Sequence, residues 1–166
     1  MSRSITSKKL PNTEDELSTL FDKLQRAATN VVFNSGGLAI KSGGSALAKT
    51  ANTIYGIVDG VPFTKAAADM AALSGTVTNA KFNVFVFSIT AGGTLKSYMG
   101  TEAATFAGVA WPTVSDGEAV IGFVIINPTG TGNFVGGTTA LDDATVAPGA
   151  VYVNTPCVFA PYCNPL

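Results

Sequence analysis

"FVIINPTGTGNFVGGTTALDD", from Phe123 to Asp143, carries a hydrophobic run into a glycine-rich loop that ends in paired threonines. Residues of these types can cradle a phosphate, and two motifs can be laid over them. Gly130-x-Gly132-x-x-x-Gly136 is one residue too long for the dinucleotide fingerprint. Gly132-x-x-x-x-Gly137-Thr138-Thr139 has P-loop spacing, but Thr138 stands where the motif needs a lysine charge for the β- and γ-phosphates. Both motifs also need a following helix whose N-terminus faces the anion. Here the chain continues "ALDDATVAPGA", with two carboxylates that repel phosphate and with Pro148, which limits any helix to a couple of turns. The stretch therefore reads as a connection between strands that uses glycine to turn.

Other chemistry is equally thin. The sequence has no histidine, which removes the usual general base, every Ser-His triad and the commonest metal ligand. Asp142 and Asp143 could hold a cation together with Asp116 or Glu118, but adjacent loop aspartates more often form turns. The remaining acids fall mostly on turns or on the N-terminal helix, not as a pair facing one cleft, as glycoside hydrolysis needs. Trp111, in "VAWPTV", could stack on a sugar, but a lone tryptophan before a proline more often anchors a core or an interface. Cys157 and Cys163 form a C-x5-C pair in the tail. Free thiols are the favoured reading and a disulfide the other; two sulfurs without histidine do not make a metal site. No catalytic residue, cofactor or metal ligand is expected.

The bulk numbers point the same way. Only 13% of the 166 residues are charged, where ordinary soluble domains carry roughly 25%. Apolar residues make up 46% and the mean hydropathy is +0.33. So little charge implies a surface coated with Thr, Ser, Asn and Gly, or one buried against other subunits. The net charge of −1 gives no field that would gather nucleic acid or an anionic membrane. No run supplies the ~20 apolar residues of a membrane-spanning helix, and "MSRSITSKKLPN" lacks the apolar core of a secretory signal. Synthesis in the cytoplasm is the expectation.

The elements that would position these residues divide the chain into an arm and helix over 1–30, a β domain over 31–156, and a proline- and cysteine-containing tail over 157–166. Thr13 and Glu16 form a T-x-x-E capping box, with Glu14 and Asp15 in the first turn. This predicts an amphipathic helix over residues 14–29. Leu17, Leu20, Leu24, Ala27 and Val31 repeat at alternating three and four, with Phe21 beside them. That seam suits packing on a sheet or a short bundle around an oligomer axis.

Beyond Asn30 the texture turns to β. "VVFN" and "LAIK" flank Ser35-Gly36-Gly37 like a hairpin, and residues 42–52 read as a small-residue connector. Asp59-Gly60 between 53–58 and 61–64 predicts a hairpin with a type I′ turn. "KAAADMAAL" (65–73) reads as two helical turns. "KFNVFVFSIT" (81–90) and "EAVIGFVIIN" (118–127) are apolar on both faces, so both must be buried on both sides; Gly122 marks a bulge or a close backbone approach. "AVYVN" (150–154) is a last strand. About eight or nine strands with one N-terminal helix give a mainly β fold, an antiparallel β-sandwich or a jelly-roll-like barrel.

The stretch 98–154, with "GTEAAT", "VIGFVIINPTGTGNFVGGTTALDDATV" and "AVYVN", and upstream "YGIVDGVPFTKAAAD" and "KFNVFVFSI", resembles virion proteins of tailed bacteriophages, in particular head decoration (cement) proteins. The resemblance covers about two thirds of the chain and attaches no role to single residues. It implies a homotrimer on the outside of a capsid, clamping neighbouring capsomers by contact with the major capsid protein. Under that reading Leu17, Leu20, Phe21, Leu24, Phe85, Phe87 and Trp111 are the expected partner or oligomer contacts. The rival is a receptor- or glycan-binding fibre or tail module, with Trp111, Tyr98 and Tyr162 as platforms.

Overall fold

A computed structural model describes residues 17–21 and 29–156. Residues 17–21 are helical, the described part of the N-terminal helix α1, and the rest is mainly β with several antiparallel sheets. The largest sheet has the order β11-β9-β7-β8. Its centre is β7 (Asn83–Thr90) and β9 (Glu118–Ile126), flanked by β8 (Leu95–Met99) and β11 (Val151–Asn154). Every residue of β7 from Asn83 to Ile89 is buried, as a strand apolar on both faces must be. Phe85, Phe87 and Ile89 point into the main core with Ile121, Val124 and Ile126. Val84, Val86 and Ser88 lie on the opposite face.

The second layer is the three-stranded sheet β1-β4-β5: Val31–Val32, Ile54–Val58 and Val61–Lys65. Val32, Ile54 and Val58 bury their side chains in the same core, with β1 and β4 lying against β9. The expected hairpin is present. Asp59 and Gly60 have φ of 51° and 75°, the left-handed values a type I′ turn needs at both central positions. Two short two-stranded ribbons complete the sheets: β2 (Leu38–Ile40) with β3 (Ala48–Thr50), and β6 (Thr76–Val77) with β10 (Phe134–Val135).

One irregularity sets the phase of the core. Phe87 faces Gly122 but Ser88 faces Val120, so Ile121 is an extra residue in β9. This β-bulge turns Ile121 inward, at 1% exposure, and keeps Ala119, Val124 and Ile126 on the core side of the break. Gly122 also meets the sequence expectation of close backbone approach. A Cβ there would run into the Val153 carbonyl and come within 2.6 Å of the Leu38 side chain.

Several local expectations are corrected. There are eleven strands among the described residues, not eight or nine. Residues 31–34 and 38–41 do not form a hairpin. Gly36 and Gly37 give their carbonyls to the Asn52 and Ala51 amides, so the chain crosses between sheets there. Residues 42–52 are not a plain connector, because they contain β3. Residues 65–73 are not helical: the Thr50 amide donates to Ala68 and the Met70 amide to Ala48, and this pairing beside β3 overrides the alanines' helix propensity. Met70 and Leu73 thereby reach the core.

Truncating the buried centre should show as lost stability. Phe87→Ala is expected to lower the unfolding free energy by about 3–5 kcal/mol, read as a fall in the urea midpoint.

Candidate interaction surface

The chemistry-bearing groups are held by the fold itself. In the glycine-rich loop, the amides of Gly130 and Thr131 donate to Val146 and Thr145, Gly136 to Gly75, and Thr138 and Thr139 to Val135. The Val135 amide donates to Thr139 Oγ1. Phe134 packs its ring on Phe85, 6.1 Å between centroids. These amides are thus engaged within the chain, and no helix follows the loop, so it is the connection between strands that the sequence suggested.

The acids are likewise engaged separately. Asp142 accepts from the Gly44 amide at 3.1 Å, and Asp143 from the amides of Thr145 and Val146. Glu118 lies elsewhere, and no group of three His, Cys, Asp or Glu that could hold a metal occurs among the described residues. The Asp142–Asp143 cation site is therefore not assembled.

Glu118 forms a polar lock that sequence reasoning missed. Its side chain is only 2% exposed. Ser88 Oγ donates to Oε2 at 2.6 Å, Lys96 Nζ to Oε1 at 2.6 Å, and Tyr98 OH reaches both oxygens at 2.8 and 2.9 Å. The lock joins β7, β8 and β9 on the face away from the main core. Burial pushes the carboxyl up, but the hydrogen bonds from Lys96, Ser88 and Tyr98 outweigh it and leave its pKa lowered. The hydrogen bond to Glu118 in turn raises Lys96. Burial and three side-chain donors enclose the carboxylate within the chain. The signal was the strand period of two: Lys96 and Tyr98 share a face of β8, and Ser88 is the register partner of Lys96.

Glu102 makes a second, exposed arrangement. It accepts from the Thr78 amide at 2.7 Å, Thr78 Oγ1 at 2.8 Å and Lys81 Nζ at 3.0 Å. The backbone bond from Thr78 leads in holding its pKa down at about 2.

The expected contact residues separate into two groups. Phe85 and Phe87 are 0% exposed within a single chain, so they cannot be contacts with another copy. The two-faced burial of β7 is satisfied internally. By contrast Leu17, Leu20 and Phe21 on α1 are 41%, 48% and 67% exposed, and Trp111 is 51% exposed. Leu24 and Tyr162 lie outside the described residues, as do Cys157 and Cys163. Trp111 sets its ring edge-to-face on Phe123, 4.7 Å between centroids, over the outer face of the large sheet. Tyr98 is half-buried, with its hydroxyl engaged by Glu118 and Ser115. Among the exposed large apolar side chains are the α1 stripe and, separately, Trp111, Phe106 and Val151.

Comparison with family models, curated proteins and solved structures finds no match to this chain. No helix among the described residues is long and apolar enough to cross a membrane.

The carboxylates predict the acid response. A carboxyl whose folded pKa is depressed contributes stability above its unfolded value and loses it as pH falls through the folded one. For Glu102 that window runs from 4.5 down to about 2. Thermal unfolding followed from pH 6 to pH 2 should show Tm falling across this window, and falling less in Glu102→Gln. At neutral pH, Glu118→Gln should lose about 2 kcal/mol, the scale of hydrogen bonds to a buried charge.

Proposed function

We propose that this chain is a structural virion protein. It binds the outside of a phage capsid through the major capsid protein and stabilises the lattice as a head decoration, or cement, protein, working as a homotrimer made in the host cytoplasm. The observation that carries the reading is the α1 stripe. Leu17, Leu20 and Phe21 stand at i, i+3 and i+4, the spacing of a packing face, yet all three are exposed in the single chain. Large apolar side chains gathered on one face mark a surface that other protein covers. The scarcity of charge fits a protein that buries surface against copies and neighbours, as does a β core completed within one chain. A cement protein needs no reactive group: a partner that binds only the assembled shell stabilises it by mass action.

A receptor- or glycan-binding tail module is the second reading, and half-exposed Trp111 is the feature that favours it. Copy number separates the two, since shell decoration requires hundreds of copies per purified particle and a tail module a handful.

The test is sedimentation and particle binding of Phe21→Glu. A charge in the middle of the stripe should raise the self-association constant for dissociation by tenfold or more, the effect of losing about 1.5–3 kcal/mol of apolar burial. It should also lower the heat resistance of particles reconstituted with it. A wild-type chain that sediments as a monomer at high concentration and does not bind shells would remove the proposal.

A further inference from the structure

The outer face of the large sheet is only half covered. Over β7 the cover is complete, since Val84 and Val86 are 0% and 4% exposed. Over β9 and β11 it runs out. Strand alternation sends Val124 and Ile126 to the core and Phe123 and Ile125 to the outer face. In register, Val153 lies opposite Phe123 and Val151 opposite Ile125. Facing residues on one side of a sheet are neighbours, so these four make one apolar patch. Trp111, its ring edge-to-face on Phe123, extends it. None of the five is charged and none is buried; Val151 and Trp111 are each 51% exposed.

β11 leads from this patch into the residues that follow it. The Thr155 amide donates to the Ile121 carbonyl at 3.2 Å, which keeps the strand on β9 to within a residue of Pro156. Next comes "CVFAPYCNPL", residues 157–166, which lie outside the described residues. This segment carries no charge and holds Val158, Phe159, Tyr162 and Leu166. Pro161 and Pro165 have no N–H, so fewer amides need partners when the segment lies on an apolar face. Its length is ample. Ten residues reach about 33–36 Å when extended, whereas Val151 lies only about 13 Å back along β11 from Thr155. Residues 1–12, by contrast, carry Arg3, Lys8 and Lys9, which such a patch would desolvate without a partner.

We infer that residues 157–166 turn back at Pro156 and cover the outer face of β9 and β11, with Phe159 and Tyr162 packed on the patch that Trp111 borders. The covering segment is tethered beside its site, so no second molecule has to be gathered for it to bind. This goes beyond the proposed function. It closes the Trp111 surface from within the chain, withdraws that ring from any stacking ligand, and leaves the α1 stripe to meet other protein.

Trp111 is the only tryptophan in the chain, so its fluorescence reads the patch. Acrylamide quenching in the reduced full chain tests the inference. Phe159→Asp with Tyr162→Asp should raise the quenching constant about twofold and shift the emission to the red, because apolar cover is lost. Both positions lie outside the described β fold, so the far-UV circular dichroism should not change. Val151→Asp makes the reciprocal change at an exposed position of the patch and should speed maleimide labelling of Cys157 and Cys163. A double variant quenched like the wild type overturns the inference. So does wild-type quenching that falls as protein concentration rises, which would place a second copy on the patch. So do wild-type thiols that react as fast as those of a free peptide of residues 157–166. Phe21→Glu should leave the quenching and the labelling unchanged while weakening the helix-mediated association, so the two ideas fail separately.

Discussion

Burying β7 on both faces is the constraint from which the rest of the fold follows. A strand with Phe85, Phe87 and Ile89 on one side and Val84 and Val86 on the other cannot rest on a single layer. One side is met by the three-stranded sheet, through Val32, Ile54 and Val58. The other carries the Glu118 lock and the segment that brings Trp111 over Phe123. The bulge at Ile121 belongs to the same constraint. Without an extra residue, β9 could not keep apolar side chains facing the core on both sides of Gly122 while also presenting Glu118 to Ser88 and Lys96. A charged group can be buried here because the register that packs the phenylalanines also brings its hydrogen-bond donors.

Long apolar runs and turn chemistry made much of this legible in the sequence. β7, β9, the Asp59-Gly60 hairpin, β11 and the role of Gly122 are where residue pattern and turn residues placed them. β3, β6 and β10 were not visible, because strands of two or three residues are too short to establish a period. They exist only through their partners, as β10 does through β6. Residues 65–73 were misread for a related reason. Alanines favour helix locally, but the backbone of β3 had unsatisfied groups that this segment supplies. At the candidate surface, the α1 stripe was legible as spacing. Phe85 and Phe87 were misassigned because the sequence marks a strand as buried on both sides without saying whether a second layer or a second copy does the covering.

Charge placement ties the surface to the fold. Among the described residues, Lys41 pairs with Asp69 at 2.6 Å, Lys81 with Glu102 at 3.0 Å and Lys96 with Glu118 at 2.6 Å. The first two are surface pairs and add little stability, whereas the Glu118 carboxylate of the third is only 2% exposed. Their larger consequence is to keep scarce charges matched to their own neighbours within the chain. An apolar or small-residue surface loses little hydration when covered, whereas a lysine or glutamate at an interface must be desolvated. The pairing of Lys96 has the sharpest effect, since a lysine on an edge strand ordinarily repels a second strand. Here Lys96 is instead held on Glu118. The same bond that secures β8 within the sheet therefore also draws the one charge of that strand onto a buried carboxylate.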